Sequence, residues 1–107
     1  MIPLSEIQDE LRSWSKRNFG NRPAWQPLID LQEELGELSH AFLKREQGIR
    51  TGEDYDAKIR DSVADLVIFL LDFCNVEGID LAHEVSFTWE HVRQRDWKKY
   101  PENGKDA

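Results

Sequence analysis

The stretch from Val63 to Val76, VADLVIFLLDFCNV, decides the fold class of this chain. Eleven of its 14 residues are apolar, and at about 100° per residue they cover nearly the whole circumference of a helix. A helix that is apolar on every side is buried on most of its surface. Alternating patterns typical of β-strands are absent from the sequence, so it predicts an all-α protein with this helix at its centre.

The rest of the chain divides into three further helices, which makes about four in all. Ser5 and Gln8 predict a capping box at the start of the first, Pro27 suits the first turn of the second, and Asp80 suits the N-cap of the fourth. The predicted bounds are about 5–19 for the first helix, an end near 47 for the second, 55–76 for the third and 80–97 for the fourth. Residues 1–101 are predicted to form a single helical domain, and residues 102–107 a disordered tail.

The composition excludes several classes of protein. The net charge is −7, with 21 acidic against 14 basic residues, which argues against binding to a nucleic-acid polymer or to an anionic membrane. The apolar stretch is too short to span a bilayer, and the N-terminus lacks the pattern of a signal peptide. The single cysteine, Cys74, suits a reducing compartment. We therefore expect a soluble cytoplasmic protein.

An acidic stripe runs along the apolar third helix. Asp61, Asp65 and Asp72 fall within roughly 40° of one another on the helical wheel. A buried carboxylate without a partner is costly, so such groups are usually paired or bound to a metal. Asp72 is expected to hydrogen-bond within the bundle or to lie beyond the metal cluster.

A second acidic group lies in QEELGELSH, residues 32–40, where Glu33, Glu34 and Glu37 share one flank of the second helix. Two helices joined by a short loop are antiparallel neighbours, so these glutamates are expected to meet the aspartates of the third helix. A divalent cation such as Mg²⁺ is the simplest group that could neutralise these carboxylates. Gly36, costly within a helix, would let a backbone or a ligand approach closely. The alternative is that the glutamates form an ordinary solvated face.

Glu33-Glu34-x-x-Glu37, followed by an apolar helix with Asp65 in DSVADLVIFLLDFCNVEGIDL, resembles the MazG-like all-α nucleoside triphosphate pyrophosphohydrolases. The resemblance covers roughly residues 24–101. It implies a helical bundle completed by oligomerisation into a homodimer or homotetramer. It also implies a Mg²⁺-dependent enzyme, with Mn²⁺ as a substitute, that hydrolyses a nucleoside triphosphate to the monophosphate and pyrophosphate.

The sequence departs from the pattern of this family in one metal position. The family has ExxD on its second helix, but Ser62 stands where the glutamate is expected and Asp61 precedes it. One glutamate of the Glu33/Glu34 pair, with Glu34 favoured, is expected to orient or deprotonate the attacking water. Lys44 and Arg95 are candidates for phosphate contact, and Trp25 for stacking on the base. The assigned metal ligands are Glu33, Glu34, Glu37, Asp61 and Asp65.

Two alternatives from other classes stay open. Glu37-x-x-His40 has the spacing used by di-iron carboxylate bundles, which need a second such pair. Neither His83 nor His91 has a glutamate three residues before it, so a second chain would have to supply it. The other alternative is a helical dimerisation module without enzymatic activity. Bound iron would favour the first, and no stabilisation by metal would favour the second.

Overall fold

The computed structural model describes residues 1–106, which form four α-helices. Their bounds are Leu4–Phe19 for α1, Trp25–Gln47 for α2, Tyr55–Glu77 for α3 and Leu81–Val92 for α4. Residues 1–106 contain no β-strand, so the predicted all-α class is confirmed. None of these helices is both long and apolar enough to cross a membrane.

The helices α2 and α3 form the largest packing unit of the chain. Residues 48–54 connect them, and a connection of this length makes them antiparallel neighbours. Each ends at a glycine in the left-handed conformation, Gly48 with φ 65° and Gly78 with φ 70°, where a side chain would be strained. The hairpin therefore places the glutamates of α2 opposite the aspartates of α3.

The first helix packs on α3 through buried polar side chains. Gln8 donates from Nε2 to the Ile79 carbonyl at 2.7 Å and accepts from the Leu81 amide at 3.2 Å. The predicted capping box is therefore wrong: α1 starts at Leu4 without a side-chain cap, because Gln8 is used by the junction between α3 and α4. Asn75 adds a bond from Nδ2 to the Gln8 carbonyl at 3.0 Å.

The fourth helix begins as predicted and ends earlier. Asp80 caps it by accepting from the His83 amide at 3.2 Å, but the helix stops at Val92 and not near Trp97. Asp96 Oδ1 instead accepts from the amides of residues 98 and 99 at 3.1 and 3.0 Å, because a short polar side chain competes with the helical pattern. Residues 102–106 belong to the segment for which a disordered tail is predicted, and there the Gly104 amide donates to the Tyr100 carbonyl at 2.7 Å. Ala107 lies outside the described residues.

The single chain buries little of its apolar surface. The buried apolar side chains among the described residues are Leu11, Pro27, Ala41, Tyr55, Leu71 and Cys74. The accessible surface is 8283 Å², whereas a compact monomer of this mass exposes about 6,200 Å². The radius of gyration is 17.8 Å, against about 13 Å for a compact domain of this length. The burial of α3 on most sides, as predicted from its sequence, is thus not reached within one chain.

Candidate active site

A groove of about 680 Å³ lies between α2 and α3. The five carboxylates that the sequence assigns to metal binding all line it. They are Glu33, Glu34, Glu37, Asp61 and Asp65. The antiparallel hairpin brings the two acidic segments to the same opening, as their positions on the two helical wheels predict.

Glu34 is the most enclosed of these five acids, since the other four are exposed. Its partial burial raises the pKa of its carboxyl group, and the negative charges of Glu37 and Asp65 raise this pKa further. The nearby Ser62 hydroxyl acts in the opposite direction, because a polar donor beside the carboxylate stabilises its ionised form. Carboxylates from both helices are therefore close enough to repel one another.

The chemistry of the donors fits a hard divalent cation, because every candidate ligand is a carboxylate oxygen. Among residues 1–106, however, no three or more Asp, Glu, His or Cys side chains are drawn together closely enough to hold a metal ion. The groove thus supplies the right donor type in an open arrangement. Metal binding there would require the exposed side chains to change rotamer, which long glutamates on a surface do readily.

Ser62 and Asp61 both line the groove but differ in their surroundings. Ser62 is buried, with 6% of its surface exposed, and its hydroxyl lowers the pKa of the nearby Glu34 carboxyl group. Asp61 is exposed and, like Asp65, forms no ion pair within the described residues. The neutral residue is therefore enclosed beside Glu34, while the neighbouring acid is accessible to a cation.

Gly36 also lines the groove. A Cβ atom at this position would have no neighbour within 4 Å, so no backbone of the described chain approaches it. The sequence suggests that a backbone or a ligand approaches Gly36 closely. A backbone from residues 1–106 is excluded, whereas the open space is compatible with a ligand or with the backbone of a second chain.

Sequence reasoning missed two residues of the groove, Lys58 and Tyr55. Lys58 is three residues before Asp61 and seven before Asp65, so its spacing on the helical wheel could have placed it on this face. Tyr55 is buried, with 7% of its surface exposed. His40 and Ala41 complete the lining, so both members of the Glu37-x-x-His40 pair reach the groove.

The three candidates for substrate contact lie elsewhere on this chain and do not line the groove. Lys44 donates to Gln47 Oε1 at 3.2 Å, and the guanidinium carbon of Arg95 lies 5.9 Å from the ring centroid of Trp97. Trp25 stands at the first position of α2 and is 61% exposed. Their roles in substrate binding stay predictions.

Comparison with known proteins gives one informative similarity. The chain is 27% identical over 96 residues to a dATP/dGTP diphosphohydrolase of Salmonella phage PMBT28. The match covers 90% of this chain and 28% of the phage protein, so the chain spans little more than a quarter of that relative's length. No protein-family model and no solved structure matches the chain.

Proposed function

We propose that this protein is a nucleoside triphosphate pyrophosphohydrolase, with dATP and dGTP as the first substrates to test. The main observation in support of this proposal is the groove between α2 and α3, which is lined by five carboxylates from the two helices. The similarity to a protein named dATP/dGTP diphosphohydrolase supports the same reaction class.

In the proposed reaction, a water molecule attacks the α-phosphorus of the nucleotide. Glu34 takes the proton of this water, because it is the most enclosed carboxylate of the groove and its raised pKa makes it the better proton acceptor. The bond between the α-phosphorus and the oxygen that bridges to the β-phosphorus breaks. Nucleoside monophosphate and pyrophosphate leave, and the proton passes from Glu34 to solvent.

The groove would hold Mg²⁺, or Mn²⁺ in its place, through Glu33, Glu34, Glu37, Asp61 and Asp65. The bound cation would neutralise the negative charge on the phosphate oxygens of the substrate. Five carboxylates alone would repel a polyanionic substrate, so the proposed activity requires a divalent cation.

A screen of common and modified nucleoside triphosphates tests this function. We expect pyrophosphate, and not orthophosphate, to be released from at least one of them, and only when Mg²⁺ or Mn²⁺ is present. Release of orthophosphate would contradict attack at the α-phosphorus. Bound iron with an oxygen-dependent absorption band would favour the di-iron bundle, because His40 and Glu37 share the groove.

We further propose that the chain works as a homodimer or as a dimer of dimers. Leu28, Leu35 and Phe42 recur every seven residues on α2, and each is about half exposed, at 45%, 48% and 52%. The accessible surface exceeds that of a compact monomer by about 2,000 Å², and a stable interface needs about 800 Å² from each partner. A second copy of the same hairpin would cover this apolar face.

Light scattering at micromolar concentration tests the assembly, with Leu35→Glu as a disrupting variant. We expect a dimer or tetramer for the wild type and a smaller species for the variant, because a charge would be buried in the interface. A stable wild-type monomer would contradict the proposal.

A further inference from the structure

The groove between α2 and α3 has a single lysine or arginine among its lining residues, Lys58. A divalent cation held by the carboxylates neutralises part of a triphosphate but provides no hydrogen-bond donor from a side chain. A lysine ammonium group supplies three such donors on a flexible stem. Lys58 is therefore the side chain of the groove best suited to contact phosphate oxygens.

In the structure, Lys58 is held at the rim of the groove by a residue outside it. Its Nζ atom lies 2.5 Å from Glu53 Oε2 and 5.6 Å from the ring centroid of Tyr55. Glu53 belongs to the connection that precedes α3 and does not line the groove. The ion pair thus links the loop to the first turns of the helix.

This ion pair is weak enough to be exchanged. Both side chains are about half exposed, at 54% for Lys58 and 50% for Glu53, and exposed ion pairs contribute little because water screens them. A triphosphate carries several negative charges on adjacent phosphoryl groups, so it attracts the ammonium group more strongly than one carboxylate does. The flexible side chain of Lys58 can make this exchange by rotation about its own bonds.

We propose that Lys58 leaves Glu53 and binds the pyrophosphate portion of the substrate, so that the groove selects polyphosphate esters over monophosphates. This inference rests on the proposed function and adds a specificity-determining residue to it. The nucleoside monophosphate product lacks the β- and γ-phosphoryl groups and would not engage Lys58, whereas pyrophosphate would. Glu53 then acts as a competitor that retains Lys58 when the groove holds no polyphosphate.

Four variants test the assignment by steady-state kinetics and product inhibition. Lys58→Met should raise KM for the triphosphate about tenfold or more, as for loss of a charged hydrogen bond, with kcat within about twofold. The inhibition constant of pyrophosphate should rise by the same factor, and that of the nucleoside monophosphate should not change. Lys58→Arg should recover most of the affinity, because it keeps the charge.

Arg60→Met is the matched control, since Arg60 lies on the same helix two residues away and does not line the groove. It removes the same charge and should leave KM within about twofold of the wild type, as for an exposed charge. Glu53→Gln should lower KM about two- to threefold, because an exposed competitor holds Lys58 only weakly. Circular dichroism of all four variants verifies that they are folded.

Equal KM values for Lys58→Met and Arg60→Met would overturn the inference while leaving the proposed function intact. A rise in the inhibition constant of the monophosphate equal to that of pyrophosphate would overturn the claimed selectivity. If the wild type hydrolyses no nucleotide, the proposed function fails by itself. Calorimetry with inorganic tripolyphosphate and Mg²⁺ then tests Lys58 directly. The role of Lys58 would be refuted if the wild type and Lys58→Met bound tripolyphosphate with equal affinity, or if neither bound it.

Discussion

The acidic stripe on α3 is used in two different ways at its two ends. Asp72, near the C-terminal end, is buried with 5% of its surface exposed and forms an ion pair with Arg22. Asp61 and Asp65, nearer the N-terminal end, are exposed and line the groove, and neither forms an ion pair within residues 1–106. The same residue type on one face of one helix is thus structural at one end and accessible to a ligand at the other.

The reason for the difference lies in the elements that face each end. The connection between α1 and α2 brings Arg22 to Asp72, and Arg22 also donates to Ser15 Oγ at 3.3 Å. Arg12 and Lys16 line the same cavity of about 280 Å³ as Arg22 and Asp72. Further positive side chains therefore lie on the side of α3 that carries Asp72. Opposite Asp65 stands Glu34, whose pKa is raised by its partial burial and by the negative charges of Glu37 and Asp65. A charge that is neutralised within the protein has little affinity left for an external cation.

The largest effect is expected from substitutions in the groove. Glu37→Gln and Asp65→Asn should each reduce turnover at least about a thousandfold, equivalent to about 4 kcal/mol in the transition state, because each removes a charge proposed to hold the metal. The helical circular dichroism should stay unchanged, since both residues are exposed. Full activity in Glu37→Gln would refute the site assignment. The contrast between a structural end and a ligand-accessible end of the acidic stripe would then lose its support.

Asp72→Asn should affect stability and not catalysis. It leaves the Arg22 guanidinium, whose side chain is only 18% exposed, without a counter-charge, and we expect a loss of about 2–3 kcal/mol in the free energy of unfolding. Urea denaturation measures this loss, with Asp65→Asn as the matched control because it makes the same chemical change on the same helix. Asp65→Asn should leave stability within about 0.5 kcal/mol of the wild type. Equal destabilisation by both would show that the two ends of the stripe do not differ.

A smaller effect separates Asp61 from Ser62. Asp61→Asn should raise the Mg²⁺ concentration needed for half-maximal activity about tenfold, because one anionic ligand is lost. Ser62→Ala should be milder, since the hydroxyl is short and uncharged and is not one of the proposed metal ligands. Titration of activity with Mg²⁺ ranks the two variants. If Ser62→Ala were inactive and Asp61→Asn near wild type, Asp61 would not replace the glutamate of the ExxD pattern.

The smallest effect is expected at Gly36. Because a Cβ atom there meets nothing within 4 Å, Gly36→Ala should stabilise the helix by up to about 1 kcal/mol. Thermal unfolding measures this gain. Reduced activity in the stabilised variant would indicate that substrate approaches Gly36, whereas a lower stability at high protein concentration would indicate that a second chain does. An alanine with no effect on either property would leave the glycine without a function in the groove.

Much of the hairpin could be predicted from the sequence. The apolar segment Val63 to Val76 fixes an all-α fold, and the glycines at 48 and 78 end α2 and α3 in the conformation that favours glycine. The wheel positions of Glu33, Glu37 and Asp65 placed them on the facing flanks of two antiparallel helices, because helical periodicity is a local property. The five carboxylates accordingly line one groove.

Only the tertiary structure decided which side chains from distant segments meet. Arg22 and Asp72 are 50 residues apart and Gln8 and Ile79 are 71 apart, and no local pattern specifies such pairs. The position of Gln8 near the start of α1 predicts a capping residue, but its amide group bonds to the junction between α3 and α4. The sequence predicts no role for Lys58, yet this residue lines the groove. The sequence by itself determined the helices and the faces that carry charge, because both follow from spacing along the chain. The tertiary structure determined which of those charges are paired internally and which stay accessible, because the path of the connections sets the distance between them.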